Sequence, residues 1–202
     1  MSFDIVSFGH SLGAKEEPYQ KGHVLARPGA VQETSYIIVS GLVRQYDIRE
    51  NGTDITLNLY KPGSIISLPW ILTEAPNTSF FECVSACVLL ALPTATLRHA
   101  FHSNSDLTLA TLTRLARGID GMLQRLAAHS SNDASYRLLT ELTIEAARFG
   151  TTHQYGTQVT ITPSELAART GLSRETVSRQ LSRLQKTGRL SRAPKGYVLR
   201  QA

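Results

Sequence analysis

Cysteine is scarce in this chain: its 202 residues include only Cys83 and Cys87. Two cysteines four residues apart cannot assemble a disulfide framework, or a four-cysteine metal or iron–sulfur site, from this chain alone. We therefore interpret both as small buried residues of two adjacent β segments, rather than as a redox pair or metal ligands.

Long apolar runs are missing too. No stretch approaches the roughly eighteen apolar residues of a membrane span, and the first residues lack the basic-then-apolar order of a secretory signal. Hydrophobic residues make up 42% and charged residues 18% of the chain, which is ordinary globular composition. These features predict a soluble cytoplasmic protein that does not contact membranes.

Recognisable catalytic motifs are equally absent. The sequence has no phosphate-cradling glycine loop, no Gly-x-Ser-x-Gly turn and no His-Glu-x-x-His pair. A hydrolase or transferase would have to recruit scattered acids and bases such as Glu74, Glu82 and His99. We do not expect an enzyme.

What the chain does have is an uneven distribution of positive charge. The formal net charge is +5, yet residues 163–202 carry nine Lys or Arg against two acidic residues, a charge of +7, while the remainder sums to −2. A near-neutral body joined to a basic tail is typical of an electrostatic nucleic-acid footprint, although acidic membranes or solubility alone would also suit it.

The first hundred residues are typical of an antiparallel all-β domain, such as a small barrel or jelly roll. Short runs rich in β-branched and aromatic residues alternate with glycine-bearing turns. Asn51-Gly52 is the strongest hairpin signal, because both central positions of a type I′ turn need a positive φ. The predicted strands are His23–Arg27, Ser35–Ser40, Leu42–Ile48, Asp54–Tyr60, Ser64–Leu68, Phe80–Val84 and Cys87–Pro93.

A long helix follows, because apolar residues recur three and four apart from Leu107 to Leu126. A narrower second strip contains Leu109, Ala116 and Leu123. Two strips suggest two partners, of which one could be the β domain and the other a second copy of this helix. A helix packed only within its own chain is the alternative. The main strip, which we predict to be the dimer contact, contains Leu112, Leu115, Ile119, Met122 and Leu126.

The polar segment 128–133 is suited to a hinge around Asn132-Asp133. A second helix is predicted from about Ala134 to Phe149, with Gly150 as its C′ residue. The residues after it read as a loop, Thr151–Gly156, and a short strand, Val159–Ile161.

Thr162, Pro163 and Glu165 predict a sharply defined helix start. Thr162 serves as N-cap, Pro163 occupies the first helical position where its missing N–H costs nothing, and Glu165 completes a capping box. Gly171 ends this short helix, since glycine most readily adopts the left-handed conformation.

Ser173 then caps a second helix through about Gln185. Two short helices joined by a three-residue turn make a helix-turn-helix. We expect its interior to be filled by Leu166, Ala167, Leu172, Val177 and Leu181.

The second helix leaves Arg174, Glu175, Ser178 and Arg179 on its exposed N-terminal face, the end that enters the major groove in this motif. Arginine can donate two hydrogen bonds to guanine and glutamate can accept one from cytosine. We predict that these four side chains contact bases; a solvated helix face is the alternative. The predicted phosphate contacts are Thr162, Ser173, Thr176 and Lys195, the last at the tip of a strand-turn-strand wing over residues 189–199.

These motifs resemble the Crp-Fnr family of bacterial transcription regulators over almost the whole chain. The resemblance rests on Pro28-Gly29, the run Tyr36–Gly41, Lys61-Pro62-Gly63, and above all Ser173–Arg179, which is similar to the family's recognition helix. It implies an α+β fold. The parts would be an N-terminal antiparallel β-roll over residues 1–103, a dimerisation helix and hinge over 104–131, and a winged helix-turn-helix over 132–202.

The resemblance implies a homodimer that reads a palindrome in double-stranded DNA. Glu175 and Arg179 would contact the G·C pairs of each half-site, Arg174 and Ser178 would set neighbouring preferences, and an activator would also contact RNA polymerase. A small effector would act through the β-roll. An effector-independent regulator of this fold, and a ligand-binding or protein-interaction module, remain alternatives.

The resemblance is weakest at the effector site. The family holds a cyclic nucleotide with a Gly-Glu segment and a later Arg-Ser or Arg-Thr pair, but 63–72 and 76–81 contain neither Glu nor Arg. We therefore do not expect cyclic AMP to bind in the usual way. The resemblance places the effector pocket at Leu68, Trp70, Asn77, Thr78, Phe80 and Arg117, although Trp70, Phe80 and Phe81 also suit a core.

No other cofactor is predicted. The family's N-terminal cysteine group, which would hold an oxygen-sensing iron–sulfur cluster, is missing from this sequence. His23, His99 and His102 could in principle ligate haem, but no axial-ligand motif is legible and surface histidines are the simpler interpretation.

Overall fold

The computed structural model describes residues 3–50, 52, 54–66 and 68–200. The chain divides into two compact units, Met1–Thr113 and Arg114–Ala202. The boundary between them falls inside one helix, α4, which runs from Ser105 to Ser130.

The first unit is built from two antiparallel sheets and three further helices. Its strands pair in the orders β1-β7-β3 and β2-β6-β4-β5. The elements before α4 are α1 (Ile5–Ser11), β1 (Lys15–Tyr19), β2 (Val24–Ala26), β3 (Thr34–Ser40), β4 (Val43–Ile48), β5 (Asp54–Tyr60), α2 (Leu68–Thr73), β6 (Phe80–Cys83), β7 (Cys87–Pro93) and α3 (Thr94–Ser103).

Strands β3 and β7 of the sheet β1-β7-β3 are covered on both faces, whereas β1 is mostly exposed. Successive residues of a strand point to opposite sides, so neighbouring residues of β3 and β7 enter two different cores. Ile37 and Leu90 face helices α1 to α3 in a group that we call the helix-side core. Their neighbours Ile38 and Leu89 face the other sheet in what we call the inter-sheet core. This explains why β3 and β7 read as nearly continuous apolar runs rather than as alternating ones.

The predicted strand Ser64–Leu68 is wrong at the residues that the structure describes, which leave out Ser67. Ile65 forms only an isolated bridge to Ile37, and the chain then enters α2, whose second residue is Pro69. Proline is tolerated in the first turn of a helix, where its missing N–H is not required. The sequence reading also omitted α1, β1 and α3, the last of which starts directly after β7.

The hairpin between β4 and β5 is confirmed, but the two-residue turn is not. Ile48 pairs with Asp54, so the connection spans the five residues 49–53. The Gly52 amide donates to the Arg49 carbonyl at 2.8 Å, and Gly52 has a φ of 78°. Asn51, the other residue of the predicted turn, lies outside the described residues.

Helix α4 is longer than predicted, and its apolar strips are exposed. Leu112, Leu115, Ile119, Met122 and Leu126 are between 43% and 65% exposed. Leu109 and Leu123 of the second strip are 66% and 59% exposed. Whether each strip packs within the chain or on a second copy of α4 stays a prediction.

The second unit continues with two hairpins and a helix-turn-helix. Its four strands pair in the order β10-β11-β9-β8. After α4 the elements are α5 (Ala134–Phe149), β8 (Thr151–His153), β9 (Gly156–Val159), α6 (Pro163–Thr170), α7 (Arg174–Lys186), β10 (Leu190–Ala193) and β11 (Gly196–Leu199).

Helix α5 has the predicted bounds, and Asp133 caps it by accepting from the Ser135 amide at 2.8 Å. Three details of the following segment differ from the prediction. Gly150 is extended rather than left-handed, with φ −65° and ψ 147°. The predicted loop 151–156 contains β8, and the predicted strand 159–161 is replaced by β9, which ends at Val159. Among the described residues, none of the helices combines the length and apolar character that crossing a membrane requires.

Candidate nucleic-acid interface

The start of α6 is locked by the predicted capping box. The Thr162 hydroxyl accepts from the Glu165 amide at 3.2 Å, and the Glu165 carboxylate accepts from the Thr162 amide at 2.7 Å. Pro163 occupies the first turn, and Gly171 ends the helix in the left-handed conformation with φ 67°. These local interactions fix where α6 begins and ends.

The start of α7 is fixed in the same way, because the Ser173 hydroxyl accepts from the Thr176 amide at 3.2 Å. The apolar side of α7 is buried with α5 and α6, and the predicted packing of the helix-turn-helix is confirmed. Its buried core contains Leu138, Leu142, Leu166, Val177, Leu181 and Leu184, with Ala167 and Leu172 packed against it.

Burial of that side leaves the opposite side of α7 open to solvent. Arg174, Glu175, Ser178 and Arg179 are all exposed on its first two turns, so the structure brings the four predicted base-contact residues together. The pKa of the Glu175 carboxyl lies below its usual range, because the Ser173 side chain hydrogen-bonds to it and Arg174 is close by. Glu175 is therefore a hydrogen-bond acceptor at neutral pH.

The predicted phosphate contacts fall into two groups. Ser173 and Thr176 lie together at the start of α7, where their hydroxyl oxygens are 3.1 Å apart. Thr162 and Lys195 line one groove between the start of α6 and the wing formed by β10 and β11, together with Arg192. Both groups combine hydroxyls or amides with nearby positive charge, which suits a phosphate backbone.

Nearly all of the basic tail is available to a polyanion. Eight of its nine Lys and Arg residues are exposed, namely Arg174, Arg179, Arg183, Lys186, Arg189, Arg192, Lys195 and Arg200. The ninth, Arg169, is partly buried and forms ion pairs with Glu141 and Glu145 of α5. The sequence reading missed these ion pairs; the signal for them was two acids four residues apart on the apolar face of α5.

The residues proposed for the effector pocket serve largely in the packing of the first unit. Trp70 lies in the helix-side core, and its indole N–H donates to the Gln32 carbonyl at 2.7 Å. Phe80 stacks on Tyr46 with ring centroids 5.0 Å apart. Asn77 donates to the Ser79 carbonyl.

The other three proposed pocket residues differ in exposure. Leu68 packs against the helix-side core, whereas Thr78 is exposed. Arg117 lies on the part of α4 that belongs to the second unit and is exposed. The effector pocket thus stays a prediction.

Several polar groups near Phe81 in the first unit are uncharged and bonded to one another. Tyr60 donates its hydroxyl to Gln45 Oε1 at 2.9 Å, and Gln45 Nε2 donates to the buried Ser79 hydroxyl at 3.1 Å. Arg44 on the same sheet is held by Asp54 at 2.7 Å and by Glu82 at 2.9 Å. Its charge is therefore compensated within the protein rather than free for a phosphate.

Cys83 and Cys87 are both buried in the inter-sheet core, as predicted. Burial raises the pKa of the Cys83 thiol to about 12, and the adjacent Cys87 contributes in the same direction. The Cys87 thiol donates to the Leu42 carbonyl at 3.4 Å. Within the described part of the chain, no group of three or more His, Cys, Asp or Glu residues is placed to hold a metal ion.

A two-sheet β-roll, a long helix and a winged helix-turn-helix with an exposed polar face together define a DNA-binding regulator with an effector-type domain. Comparison with known families agrees. Residues 16–104 match the cyclic nucleotide-binding domain, and residues 136–201 match the Crp-like helix-turn-helix domain. The chain belongs to the Crp-Fnr family of transcription regulators, which are DNA-binding proteins and not enzymes.

Curated relatives include the fumarate nitrate reduction regulatory protein of Klebsiella oxytoca, which is 26% identical over 182 residues, 88% of this chain and 71% of the relative. The corresponding Escherichia coli K12 protein is 25% identical over the same shares. Among solved structures, the c-di-GMP responsive regulator CLP of Xanthomonas campestris has a TM-score of 0.70 at 21% identity, covering 98% of this chain and 100% of its own. FixK2 of Bradyrhizobium japonicum has a TM-score of 0.70 at 21% identity, covering 93% of each chain. Both structures show the same fold.

We expect the two thiols to be nearly inert in the folded protein. An ordinary cysteine is substantially ionised at pH 8, whereas the Cys83 thiol, with a pKa of about 12, is ionised in roughly one molecule in ten thousand. Cys87 is shielded from reagents because it is only 2% exposed. Disulfide-exchange labelling at pH 8 should therefore be very slow in the native state and should reach two thiols per chain in guanidinium chloride. A Cys87→Ala variant isolates Cys83; rapid native labelling of that variant would contradict the assignment.

Proposed function

We propose that the protein is a homodimeric regulator that reads a palindromic operator with α7, and that its β-roll responds to a small effector other than cyclic AMP. The observation that carries the DNA part is the exposed cluster of Arg174, Glu175, Ser178 and Arg179 on the first two turns of α7. The functional parts would be residues 1–103, 104–131 and 132–202. Because its target is bacterial DNA, we infer a cytoplasmic location.

Specific contacts are expected from the arginine and the glutamate of this cluster. Arg179 can donate two hydrogen bonds to guanine O6 and N7, and the ionised Glu175 can accept one from cytosine N4. Thr162, Ser173, Thr176 and Lys195 would hold the phosphates and set the register of α7 in the groove. If the protein is an activator, RNA polymerase would be a further partner.

Selection of bound duplexes from random DNA should return a palindrome whose half-sites lie about one helical turn apart. Arg179→Ala and Glu175→Ala should each lose preference at a defined G·C pair, at a cost of about 1–3 kcal/mol per contact. Lys195→Ala is the matched control: it should weaken binding to every sequence equally and lower the salt slope by about one. Equal weakening at all positions by Arg179→Ala would contradict the proposed base contact.

The dimer is supported by the main apolar strip of α4. Leu112, Leu115, Ile119, Met122 and Leu126 are exposed at spacings of three and four residues. Exposure of such an apolar strip to water is unfavourable. Its spacing also matches the one at which parallel helices pack together in a coiled coil. Through a twofold axis, the same strip on a second copy of α4 can pack against this one.

Leu112→Glu should shift the protein towards monomers. The twofold axis would place two buried carboxylates in the interface, so we expect the dimer dissociation constant to rise at least about tenfold. Sedimentation velocity over a concentration series measures this. Leu72→Glu is the matched control, since Leu72 of α2 is 51% exposed against 52% for Leu112. A wild-type protein that sediments as a monomer at all concentrations would refute the dimer.

The effector proposal rests on the chemistry of the first unit. The segments 63–72 and 76–81 contain neither Glu nor Arg, and Glu74 between them is paired with Arg98 at 2.6 Å. With Arg44 also compensated, the site offers uncharged groups rather than a phosphate clamp. A ligand that binds one state of the regulator better than the other would shift the population towards that state.

Titration calorimetry with cyclic AMP should show no binding in the micromolar range, because no free arginine or ribose-binding glutamate is present in the expected segments. The unfolding temperature should also stay unchanged at millimolar cyclic AMP, since only a ligand that binds the native state raises it. Micromolar affinity accompanied by altered DNA binding would refute this part of the proposal.

A further inference from the structure

Two carboxylates are buried in the second unit, on α5. The side chains of Glu141 and Glu145 are only 3% and 6% exposed. They lie one helical turn apart, on the side of α5 that also carries the core residues Leu138 and Leu142. Burial of a carboxylate is unfavourable unless a cation and hydrogen bonds compensate it. The residues that pair with Glu141 and Glu145 are therefore needed to keep both carboxylates buried.

The partners come from two other helices. Arg125 of α4 binds Glu141 with two parallel hydrogen bonds, Nε to Oε2 at 2.7 Å and Nη2 to Oε1 at 3.0 Å. Arg169 of α6 reaches Glu145 at 2.6 Å and Glu141 at 3.4 Å. Glu141 therefore links the end of α4 to the first helix of the helix-turn-helix. We call these four side chains the three-helix ion cluster.

Arg125 supplies the directional contact of α4 in this unit. Within residues 114–130, all of which are described, only Gly121, Arg125 and Ala128 are not exposed. The glycine and the alanine permit close approach, and an added Cβ at Gly121 would lie 4.0 Å from Ile144 of α5. Contacts of such small residues do not fix the angle between two helices. The planar two-bond contact of an arginine with a carboxylate does, because it has one preferred geometry.

Two further observations support a fixed arrangement. The imidazole of His129, one turn after Arg125, lies 3.2 Å from the Arg169 carbonyl oxygen. Burial alone would raise the pKa of Glu141, but the hydrogen bonds and charges of Arg125 and Arg169 hold it below its usual range. Glu141 is therefore ionised at neutral pH.

The cluster lies on a different side of α4 from the proposed dimer strip. At about 100° per residue, Gly121, Arg125 and Ala128 are centred roughly 130° around the helix from the main apolar strip, which contains Leu112, Leu115, Ile119, Met122 and Leu126. One helix can thus pack on a second copy with one side and hold its own DNA-binding elements with another.

We propose that Glu141 is a positioning residue for operator recognition: through Arg125 and Arg169 it holds the helix-turn-helix at one angle to the dimer helix, and thereby sets the distance between the two recognition helices. This inference rests on the proposed function, since spacing has meaning only in a dimer that reads two half-sites. Adjacent major grooves on one face of DNA recur at about 34–36 Å, so a tilt of the helix-turn-helix would misplace one α7 relative to the other.

The test is binding of the full chain to a spacing series. Duplexes carry the two selected half-sites at the preferred separation and at one or two base pairs less or more, and one duplex carries a single half-site. Dissociation constants are measured by fluorescence anisotropy for the wild type, Arg125→Gln and Glu141→Gln. Circular dichroism and sedimentation check folding and dimerisation of each variant.

We expect the wild type to prefer its own spacing by about tenfold or more. Arg125→Gln and Glu141→Gln should bind the single half-site within about twofold of the wild type, yet lose most of the preference among spacings. Arg125→Lys keeps the positive charge but cannot form the two parallel hydrogen bonds of the guanidinium group, so it should recover part of the spacing preference. Glu74→Gln is the matched control, because it removes an exposed ion pair with Arg98 in the other unit and should change none of these values.

The possible results distinguish failure of the proposed palindrome from failure of the positioning role. A wild type that binds DNA without any spacing preference would overturn the proposed palindrome itself. Folded, dimeric variants that keep the wild-type spacing preference would overturn the positioning role. Equal losses of affinity for the single half-site and the double site would also overturn it, because they indicate damage to the helix-turn-helix alone. If Glu141→Gln fails to fold, Arg125→Gln decides, because Glu141 then retains Arg169 as a partner.

Discussion

The DNA-binding unit depends on one constraint, the complete burial of one side of α7. Val177, Leu181 and Leu184 pack into a core shared with α5 and α6, and this packing decides which side chains of α7 face solvent. The caps at Thr162 and Ser173 and the left-handed Gly171 determine where each helix begins and ends. Because the register is fixed at these points, the polar residues of α7 emerge together on its first turns, where a groove could receive them.

The parts of the fold that the sequence predicted well are those governed by short-range chemistry. Caps, glycine stops and three-four periodicity act within a few residues, so α5, α6, α7 and the wing could be placed closely. The elements that were missed depend on tertiary context. Segment 64–68 has strand-like composition, yet Pro69 and the burial of Trp70 turn the chain into α2. Similarly, α1 covers Ile37 and Leu90 through the close approach of Gly9. Its N-cap Asp4 is a local signal, but a helix of 7 residues is too short to show a periodic apolar pattern.

The candidate site divides in the same way. The recognition residues could be read from the sequence because solvent exposure on a capped amphipathic helix follows from its period. The three-helix ion cluster could not, since the pairing of Arg125 with Glu141 and of Arg169 with Glu145 joins residues from three separate helices. Two acids on an apolar helix face indicate that a basic partner exists, but only the packed structure identifies it. The effector residues are harder still, because the same aromatic side chains suit a core and a ligand cage.

Trp70 is the only tryptophan of the chain, and its indole is buried with its N–H bonded to the Gln32 carbonyl. All indole fluorescence of the protein therefore originates from one spot in the helix-side core. The emission wavelength and quenching of Trp70 therefore report on the β-roll alone, since the second unit contains no tryptophan. A conformational change that exposes Trp70 of α2 to water would shift this emission to longer wavelength, so it can be followed without an attached dye.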